Sequence, residues 1–421
     1  MNQCKIAIIG TGAAGMACGH FLHKNYDITL FEQNNYIGGH ANTAIIEADD
    51  ETVYTDTAFV IFNEENYPLF TRMLKELDVA SIQCSMGFSF KIMQTGWEYN
   101  SKGLTWIPTN LKNLLDPRFR KLLKETGRFY KEATEIYREK TYADYSIAQY
   151  LEEKGYSKDF IDFFLIPVIA VVWSIPPEDM LDYPALTMIE FLENHGAFQG
   201  LFGQKRWRTI KNGSQSYKQK LIAPFKDRIQ LNNKIVSVKR ENGKALITDS
   251  QGQTQEFDRV ILACHADQAL ALLADPTADE QKTLGAFRYN QSHIILHTDS
   301  AILPAKRSMW AGWNYLTEAD GRSSFSYYMN KLQRVSKKQD YFITLNDTGR
   351  INPDKILREY DYEHPIFDNA AVLAQADVPA LNENGISYFC GSYTRYGFHE
   401  DAFRSGVEVC RKITGEPIWA D

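Results

Sequence analysis

The glycines near the start of the chain have a spacing that can bind phosphate. Residues 10–15 read GTGAAG, which places Gly10, Gly12 and Gly15 in a G-x-G-x-x-G pattern. The first glycine permits a tight turn, the second lets the backbone approach a pyrophosphate, and the third lets a helix pack closely on a strand. A helix that begins there offers free N–H groups and the positive end of its dipole to an anion. The motif therefore predicts a dinucleotide site.

The flanking residues supply the elements that this motif requires. Residues 5–9 form a short apolar run, residues 13–23 have helical spacing, and residues 27–31 have the pattern of a second strand. Glu32 follows that strand, at the place where an acid binds a ribose hydroxyl and repels a 2′-phosphate. The segment is therefore predicted to be a βαβ dinucleotide-binding unit.

Additional segments separate FAD from NAD as the bound dinucleotide. A second glycine pair, Gly38 and Gly39, comes after the second strand. Asp56 and Thr57 then follow another strand-like stretch. Residues 391–406 read GSYTRYGFHEDAFRSG and lead into a helix, whose N-terminus suits the electron-rich edge of a reduced flavin. An NAD site has no use for these segments, so the sequence predicts FAD.

No second G-x-G-x-x-G follows a strand elsewhere in the sequence. A domain that reduces the flavin with NAD(P)H would be expected to carry one. Electrons are therefore expected to come from an organic substrate and to leave to oxygen or a quinone. A flavin enzyme needs from its protein mainly orientation, an excluding pocket and electrostatics, so the sequence assigns no catalytic residue.

The composition is typical of a globular protein with a large core. Of 421 residues, 44% are hydrophobic and 24% are charged, and the net charge is −7. This acidic balance disfavours general nucleic-acid binding. The six cysteines are scattered and show neither CxxC pairs nor zinc-ligand spacing. Reduced thiols, a cytoplasmic location and no metal site are therefore expected.

Two stretches bear on membranes. The most apolar one, residues 163–173, is too short to span a bilayer and contains Pro167, so a buried helix or the wall of an apolar chamber is expected instead. A helix predicted to begin at Asp116 and Pro117 has apolar residues at 3.6 spacing and many basic residues. It fits either a membrane surface or, as its interspersed glutamates favour, the solvated face of a cap domain. Peripheral membrane contact therefore stays open.

The remaining pattern suggests a discontinuous chain. It is largely helical from about residue 67 and strand-like at residues 229–263 and 386–390, with a last helix from about Glu400. We predict an α/β fold in which an α+β substrate domain is inserted into a Rossmann-type FAD-binding domain. The predicted bounds are 1–80, 205–290 and 380–421 for the FAD-binding domain, and 81–204 and 291–379 for the substrate or cap domain.

These segments together resemble the glutathione-reductase-type flavoproteins of the amine oxidase, protoporphyrinogen oxidase and phytoene desaturase group. The resemblance includes a mid-chain NGS segment at residues 212–214 and the strand VILAC at residues 260–264. Strings such as GGHANT, NEENYPLF, WRTIKNGSQSY and YGFHEDAFRSG are similar, over nearly the whole chain, to a subgroup of flavoproteins. Genes of that subgroup often lie beside cyclopropane-fatty-acid synthases, and some plant synthases carry a homologous domain.

The resemblance implies a set of cofactor contacts. It places the backbone of Val236 against the adenine and the segment around His399 beside the flavin. His40 stands where many amine oxidases have arginine, and the cysteine motif for covalent attachment is absent, so non-covalent FAD is expected. The residues expected to contact the cofactor are Gly10, Gly12, Ala13, Ala14, Gly15, Glu32, Gln33, Gly38, Gly39, His40, Asp56, Thr57, Val236, Gly391, His399, Glu400 and Asp401.

The substrate is less determined than the cofactor. Four aromatic residues are candidates for the substrate pocket, and His399 is a candidate proton relay or serves only through its backbone. We expect an FAD-dependent oxidoreductase that takes a hydride from an apolar substrate, with a fatty-acyl chain as candidate. An amine oxidase is one alternative, and a flavin-binding accessory protein of a lipid methyltransferase is another. The candidate pocket residues are Trp173, Trp313, Tyr393 and Tyr396.

Overall fold

The computed structural model describes residues 3–48, 50–85, 87–102, 105–108, 111–173, 179–194 and 206–419. It describes the side chains at all of these positions except 101, 102, 105–107, 170–173, 179 and 194.

The strands of the described residues are, in chain order, β1 Lys5–Ile9, β2 Asp27–Phe31, β3 Thr43–Ala48, β4 Glu51–Asp56, β5 Ser81–Gln83, β6 Phe88–Ile92, β7 Trp97–Lys102, β8 Thr105–Pro108, β9 Arg208–Ile210, β10 Ile229–Gln230, β11 Ile235–Glu241, β12 Lys244–Asp249, β13 Thr254–Phe257, β14 Arg259–Leu262, β15 Arg288–His297, β16 Trp313–Thr317, β17 Ser323–Tyr328, β18 Phe342–Leu345, β19 Ile356–Ile366 and β20 Ser387–Phe389.

The α-helices of the described residues are α1 Ala13–Leu22, α2 Pro68–Glu76, α3 Pro117–Glu139, α4 Ile147–Glu153, α5 Lys158–Phe160, α6 Ile166–Trp173, α7 Ala185–Asn194, α8 Gln215–Ile222, α9 Ala266–Leu272, α10 Ala278–Leu284, α11 Met329–Leu332, α12 Asn369–Gln375, α13 Val378–Leu381 and α14 His399–Thr414. A π-helix, Ile161–Leu165, precedes α6. Short 3₁₀ helices lie at Leu111–Leu115, Asp179–Asp182, Ala223–Arg228, Arg307–Met309, Pro353–Lys355 and Ser392–Thr394.

A five-stranded parallel sheet, which we call the nucleotide sheet, has the order β10-β2-β1-β14-β20. Successive residues of β1 point to opposite faces. Ile6 and Ile8 enter a core that includes residues of α1 and α14, whereas Ala7 and Ile9 enter a second core with β11 and α9. Burial of both faces is what a parallel sheet requires. The predicted α/β fold with a Rossmann-type domain is confirmed.

The last helix packs closely on the first. A Cβ atom at Gly406 of α14 would lie 2.6 Å from the carbonyl oxygen of Ala14 and 3.1 Å from the Cβ atom of Ala17. The small residue therefore lets the two helix backbones approach each other. This contact places the turn before α14 beside the N-terminus of α1, although nearly the whole sequence separates them.

A second large sheet carries the substrate side of the molecule. Its eight strands have the order β19-β15-β18-β17-β16-β6-β7-β8, and they are antiparallel except for the parallel pair β16–β6. Its strands come from residues 88–108 and 288–366, and its core includes residues of α3, α4, α6 and α7. The nucleotide sheet takes strands from residues 5–31, 229–262 and 387–389. The exact domain bounds given above stay a prediction.

Two local expectations met different outcomes. The helical pattern predicted from about residue 67 onward is wrong beyond α2, because β5 to β8 occupy residues 81–108. Phe90 and Ile92 of β6 are buried while Lys91 between them is half-buried, so the apolar period there is 2. The helix predicted to begin at Asp116 and Pro117 is confirmed as α3. The side chain of Asp116 caps it by accepting a hydrogen bond from the backbone N–H of Arg118 at 2.8 Å.

The apolar stretch at 163–173 forms the π-helix and α6. Phe164, Leu165 and Ile169 are buried, as expected of a core helix. Because α6 continues directly from the π-helix, Pro167 leaves the carbonyl oxygen of Phe163 without a helical donor, and this oxygen accepts a hydrogen bond from the Tyr99 hydroxyl. Among the described residues, no helix has the length and apolarity needed to cross a bilayer.

We predict that Gly406→Ala and Gly127→Ala change stability in opposite directions. A Cβ atom at Gly127 of α3 meets no atom within 4 Å, so the alanine should stabilise the helix by roughly 1 kcal/mol. At Gly406 the same methyl group would press on the backbone of α1 and cost roughly 1–3 kcal/mol. Thermal unfolding midpoints of the two variants, compared with the wild type, check the signs. A raised midpoint for Gly406→Ala would contradict the packing described for α1 and α14.

Candidate active site

The glycine turn leaves β1 at Ile9 and enters α1. Gly10 has φ +100°, and a Cβ atom there would lie 2.6 Å from the carbonyl oxygen of Ala263. A Cβ atom at Gly15 would lie only 2.0 Å from the carbonyl oxygen of Gly10. Neither position has space for a side chain, so both glycines are required by the turn itself.

Gly12 differs from the other two glycines of the motif. Its φ is −63°, and no described atom lies within 4 Å of the Cβ position. The backbone of Gly12 is therefore uncovered and accessible from the adjoining cavity, directly at the N-terminus of α1. No acidic residue occupies the first turn of this helix, so its positive dipole end is free to meet an anion.

Glu32 lies at the end of β2 and is held by the glycine turn. Its Oε2 accepts hydrogen bonds from the backbone N–H of Thr11 at 3.1 Å and from the Thr11 hydroxyl at 2.5 Å. Its Oε1 accepts one from the backbone N–H of Asn34 at 2.9 Å. A carboxylate has about four acceptor sites, so one stays available to a ribose hydroxyl in the adjoining cavity.

The second glycine pair lies against the first. Gly38 and Gly39 have φ of +121° and +55°, and a Cβ atom at Gly39 would be 3.5 Å from the Cα of Gly12. Lys218 of α8 crosses behind them and donates to the carbonyl oxygen of Ile37 at 2.8 Å. Burial lowers the pKa of Lys218 to about 8. The two glycine segments thus form one backbone surface.

These segments border a single large cavity. Its volume is about 1620 Å³, whereas pockets for single ligands have roughly 300–1000 Å³. The space therefore suits a dinucleotide together with a second molecule. Thirteen of the residues singled out from the sequence line it: Gly10, Gly12, Ala13, Ala14, Glu32, Gln33, Gly38, Gly39, His40, Trp313, Gly391, Tyr393 and His399.

Asp56 and Thr57 are buried beside the cavity and are absent from its lining. The carboxylate of Asp56 accepts from the Thr43 hydroxyl at 2.6 Å, the Ser214 backbone N–H at 2.8 Å and the Gln333 side chain at 2.7 Å. Burial raises its pKa, and these hydrogen bonds oppose the rise. Asp56 therefore joins the β3–β4 hairpin to α8 and to the segment after α11. That role was not expected from the sequence.

The backbone contact expected between Val236 and the adenine stays a prediction, and the side chains of this segment are placed as follows. Ile235 is buried and lines the cavity together with Asn233 and Lys234, whereas Val236 does not and is 45% exposed. Alternate residues of a strand face opposite sides, so a shift of one position exchanges the inner and outer faces.

The start of α14 lies beside the cavity, but its acids face away from it. Glu400 accepts hydrogen bonds from the backbone N–H groups of Leu69 and Phe70 at 3.1 and 2.9 Å, at the N-terminus of α2. Asp401 accepts from the backbone N–H of Phe398 at 3.0 Å. Burial raises the pKa of Glu400 to about 7 and that of Asp401 to about 6. Both carboxyl groups thus organise helix ends.

His399 lies in the cavity wall. Its ring stacks on Phe59 with centroids 4.0 Å apart, and its Nε2 pairs with the Tyr217 hydroxyl at 3.0 Å. Burial lowers the pKa of His399 to about 3. The ring therefore stays neutral near pH 7, which does not suit a relay that charges and discharges there.

The other expected residues are placed as follows. Gly15 is packed under the turn, and Tyr396 borders a smaller pocket of about 210 Å³ near Glu400. Tyr393 is 1% exposed and its hydroxyl has no hydrogen-bond partner among the described atoms. The side chain of Trp173 lies outside the described residues.

A group of histidines forms part of the wall, and sequence reasoning missed it as a group. The ring centroid of His40 lies 5.1 Å from that of His364 and 6.1 Å from that of His265. Nε2 of His40 and Nδ1 of His364 are buried without a hydrogen-bond partner among the described atoms. Burial lowers the pKa of all three rings. The described residues contain no group of side chains arranged to hold a metal ion.

Much of the cavity lining is apolar and aromatic, and most of these residues belong to the core of the eight-stranded sheet or pack against it. We call this part of the cavity the apolar chamber, and its described lining is Phe88, Tyr130, Val168, Phe191, Leu192, Trp207, Trp310, Trp313 and Tyr327. Three cations, which we call the cationic rim, also line the cavity: Arg206, Lys331 and Arg334.

The cationic rim borders the chamber directly. Lys331 donates to the carbonyl oxygen of Trp310 at 3.0 Å, and Arg334 donates to that of Gln83 at 2.9 Å. The described acids that line the cavity lie elsewhere. Glu32 holds the glycine turn, and Asp361 and Glu363 of β19 lie within 3.2 Å of histidine rings. Sequence spacing gave no sign of this separation of charge.

The fold and this site define a dinucleotide-dependent oxidoreductase of the α/β class with a separate substrate sheet. A family model described as flavin containing amine oxidoreductase matches residues 13–331, and the chain belongs to that family. It is an FAD-dependent enzyme. The bare backbone at Gly12, the open acceptor site on Glu32 and the unpartnered ring nitrogens fit a group with a ribose and a pyrophosphate.

Solved structures share the fold over the whole length of the chain. Putrescine oxidase superposes with a TM-score of 0.73 at 14% identity, covering 98% of this chain and 99% of that one. Cyclohexylamine oxidase from Brevibacterium oxydans gives 0.71 at 13% identity, covering 98% and 99%. A CLA-producing fatty acid isomerase from P. acnes gives 0.66 at 14% identity, covering 99% of each. No curated protein sequence matches the chain.

We predict that Glu400→Gln changes the pH dependence of stability. The native carboxyl, with its pKa raised from 4.5 to about 7, binds its proton more tightly than the unfolded chain does. Its contribution to the free energy of unfolding is therefore present at low pH and lost as pH rises to about 7. Glutamine does not ionise, so the variant should gain about 1–3 kcal/mol on the wild type between pH 5 and pH 8.

Urea unfolding of both proteins at the two pH values measures this difference. Glu408→Gln, which changes an exposed acid of the same helix, is the control and should follow the wild type. If the free energy of unfolding of Glu400→Gln and of the wild type changed in parallel with pH, the pKa of the buried carboxyl would not be raised.

Proposed function

We propose that the enzyme oxidises an apolar substrate with an anionic head, of which a fatty-acyl compound is the simplest example. The observation that carries this proposal is the pairing of the apolar chamber with the cationic rim. A carboxylate or phosphate head would meet Arg206, Lys331 or Arg334 while the hydrocarbon fills the chamber. None of the described residues in the chamber or rim is acidic, so a cationic amine would find no counter-charge there.

We further propose how the cofactor is held. The N-terminus of α1 and the bare backbone at Gly12 would face the pyrophosphate, with His40 and His364 as neutral donors beside it. Glu32 would take a ribose hydroxyl, and Ile235 in place of Val236 would border the adenine. When bound, FAD supplies a hydride acceptor. The residues proposed to border it are Gly10, Gly12, Ala13, Ala14, Glu32, Gln33, Gly38, Gly39, His40, Ile235, His364, Gly391 and His399.

The chamber residues have two tasks in this proposal. Aromatic walls such as Trp207, Trp313 and Tyr327 exclude water from the reacting carbon, which protects a hydride in transfer. They also hold a flexible chain in one orientation, since an ordered near-attack geometry lowers the barrier. Electrons would then leave to oxygen or a quinone. A cytoplasmic location is also proposed, supported by six free cysteines.

An amine oxidase remains the alternative within the family. Putrescine oxidase and cyclohexylamine oxidase share the fold, but so does the fatty acid isomerase. Sequence identities of 13–14% are too low to indicate which substrate this chain uses. Anaerobic titration of the purified holoenzyme with fatty acids, acyl thioesters and an amine panel separates the two. Bleaching of the flavin by acyl compounds alone supports the proposal, whereas bleaching by amines alone overturns it. No bleaching with any compound would favour the accessory-protein alternative.

We predict that Val168→Asp separates an acyl substrate from an amine. Val168 is buried in the chamber wall. A carboxylate there would repel the anionic head of an acyl substrate, and covering that carboxylate with the hydrocarbon chain would cost desolvation free energy. The KM for an acyl substrate should rise at least about tenfold, whereas an amine would bind better. Val168→Thr keeps the volume without the charge and is the matched control. Steady-state kinetics with flavin content checked by absorbance measures both.

We predict that Gly12→Asp purifies without FAD. The Cβ position is open and the backbone φ is ordinary, so the fold should tolerate the change. The carboxylate would occupy the space proposed for the pyrophosphate and repel it. Gly12→Ala adds only a methyl group and should retain part of the flavin. Flavin-to-protein absorbance ratios, with circular dichroism as the folding control, test this. A fully yellow Gly12→Asp protein would place the pyrophosphate elsewhere.

A further inference from the structure

The 3₁₀ helix Leu111–Leu115 exposes apolar side chains to solvent. Leu111, Leu114 and Leu115 are 66%, 40% and 77% exposed. No residue of this helix is buried. Single exposed leucines are ordinary on a protein surface, but three in five residues form a contiguous apolar projection. Folding of the described residues leaves this projection without an apolar neighbour that covers it.

Basic residues lie next to the projection along the chain. Residues 111–124 contain five Lys or Arg and one Asp, a local charge of 5 − 1 = +4 in a chain of net charge −7. Arg120, Lys121 and Lys124 are exposed on α3. They lie in its first turns, where cations oppose the helix dipole. Arg118 pairs with Asp159 at 2.7 Å and Lys121 with Glu125 at 4.0 Å, but these two cationic side chains stay 60% and 63% exposed.

An apolar projection followed by exposed cations matches the surface of an anionic bilayer. Leucines enter the boundary between head groups and acyl chains, and Lys and Arg meet the lipid phosphates. An acidic protein surface would pair with the cations, but its charged side chains would not cover the three leucines. A second copy that docked through the same patch would bring two sets of cations together, and these would repel each other. Charge and apolarity together favour the membrane.

The same helix leads from this surface to the substrate cavity. Tyr130 of α3 lines the apolar chamber. It lies ten residues beyond Arg120, which is about 15 Å along the helix axis. Leu122, Thr126 and Phe129 of α3 are buried between the two sites. An enzyme docked through this patch would hold the chamber a short distance from the lipid.

We propose that Leu111–Leu115 and the first turns of α3 form a docking surface for anionic lipid membranes. Docking does not depend on the proposed substrate, so a failure of the acyl assay and a failure of vesicle binding are distinguishable.

Co-sedimentation of the full-length holoprotein with vesicles tests the proposal. We expect binding to vesicles of phosphatidylcholine with phosphatidylglycerol and much weaker binding to phosphatidylcholine alone. Raising the salt from about 0.1 M to about 0.5 M should weaken the binding, because the charges are exposed. The double substitution Leu111→Ser with Leu115→Ser should reduce partitioning about tenfold.

Matched controls separate this surface from general stickiness. Leu373→Ser removes a leucine that is 74% exposed on α12 and should leave partitioning unchanged. Arg120→Glu with Lys124→Glu should abolish the preference for anionic lipid. Lys282→Glu with Lys239→Glu, which changes the same net charge elsewhere, should retain it. All variants should keep the flavin and the wild-type melting midpoint.

Three outcomes would overturn the proposal. The first is no binding to either vesicle, and the second is equal binding by the leucine variant and the wild type. The third is a wild-type dimer in sedimentation equilibrium that the leucine substitutions convert to a monomer, because a second copy would then be the occupant.

Discussion

The structure depends on one close contact, in which α1 packs so near to the glycine turn that a Cβ atom at Gly15 would lie 2.0 Å from the carbonyl oxygen of Gly10. This contact aims the N-terminus of α1 into the cavity. It also fixes where α14 can lie, because Gly406 brings that helix against the backbone of α1. The turn that carries His399 therefore reaches the cavity from the opposite end of the sequence. An added methyl group at any of these glycines would displace the others.

Buried polar groups hold the parts around this contact. Asp56 binds a hydroxyl, a backbone N–H and an amide from three different segments. Glu400 accepts hydrogen bonds from two backbone N–H groups at the start of α2. A buried carboxyl is costly unless its hydrogen-bond sites are filled, so each of these acids specifies one arrangement of its neighbours. Such groups tie the β3–β4 hairpin to the ends of α8 and α11, and α14 to α2.

The cavity combines two environments within one space. Near the glycine turn it offers backbone N–H groups, an acid and neutral imidazole rings, which suit the polar ends of FAD. Along the eight-stranded sheet it is apolar with a cationic rim. Apolar walls have a low dielectric constant, so they strengthen the electrostatic attraction between the rim cations and an anionic group bound there. The membrane-docking surface proposed on α3 would bring an apolar substrate with an anionic head close to this environment.

The sequence determined the βαβ unit, the glycine turn, Glu32 and the N-cap at Asp116, because these features depend on residues close together along the chain. The local pattern also indicated a buried helix at residues 163–173, but it missed the strands at 81–108. Tertiary structure alone decided that Asp56 and Glu400 bind neighbouring segments rather than border the cavity, and that the side chain of Ile235 faces inward in place of that of Val236. It also brought His40, His265 and His364 together and gathered Arg206, Lys331 and Arg334 at one rim. Such groups lie far apart in sequence, and burial and contact arise only when distant segments pack.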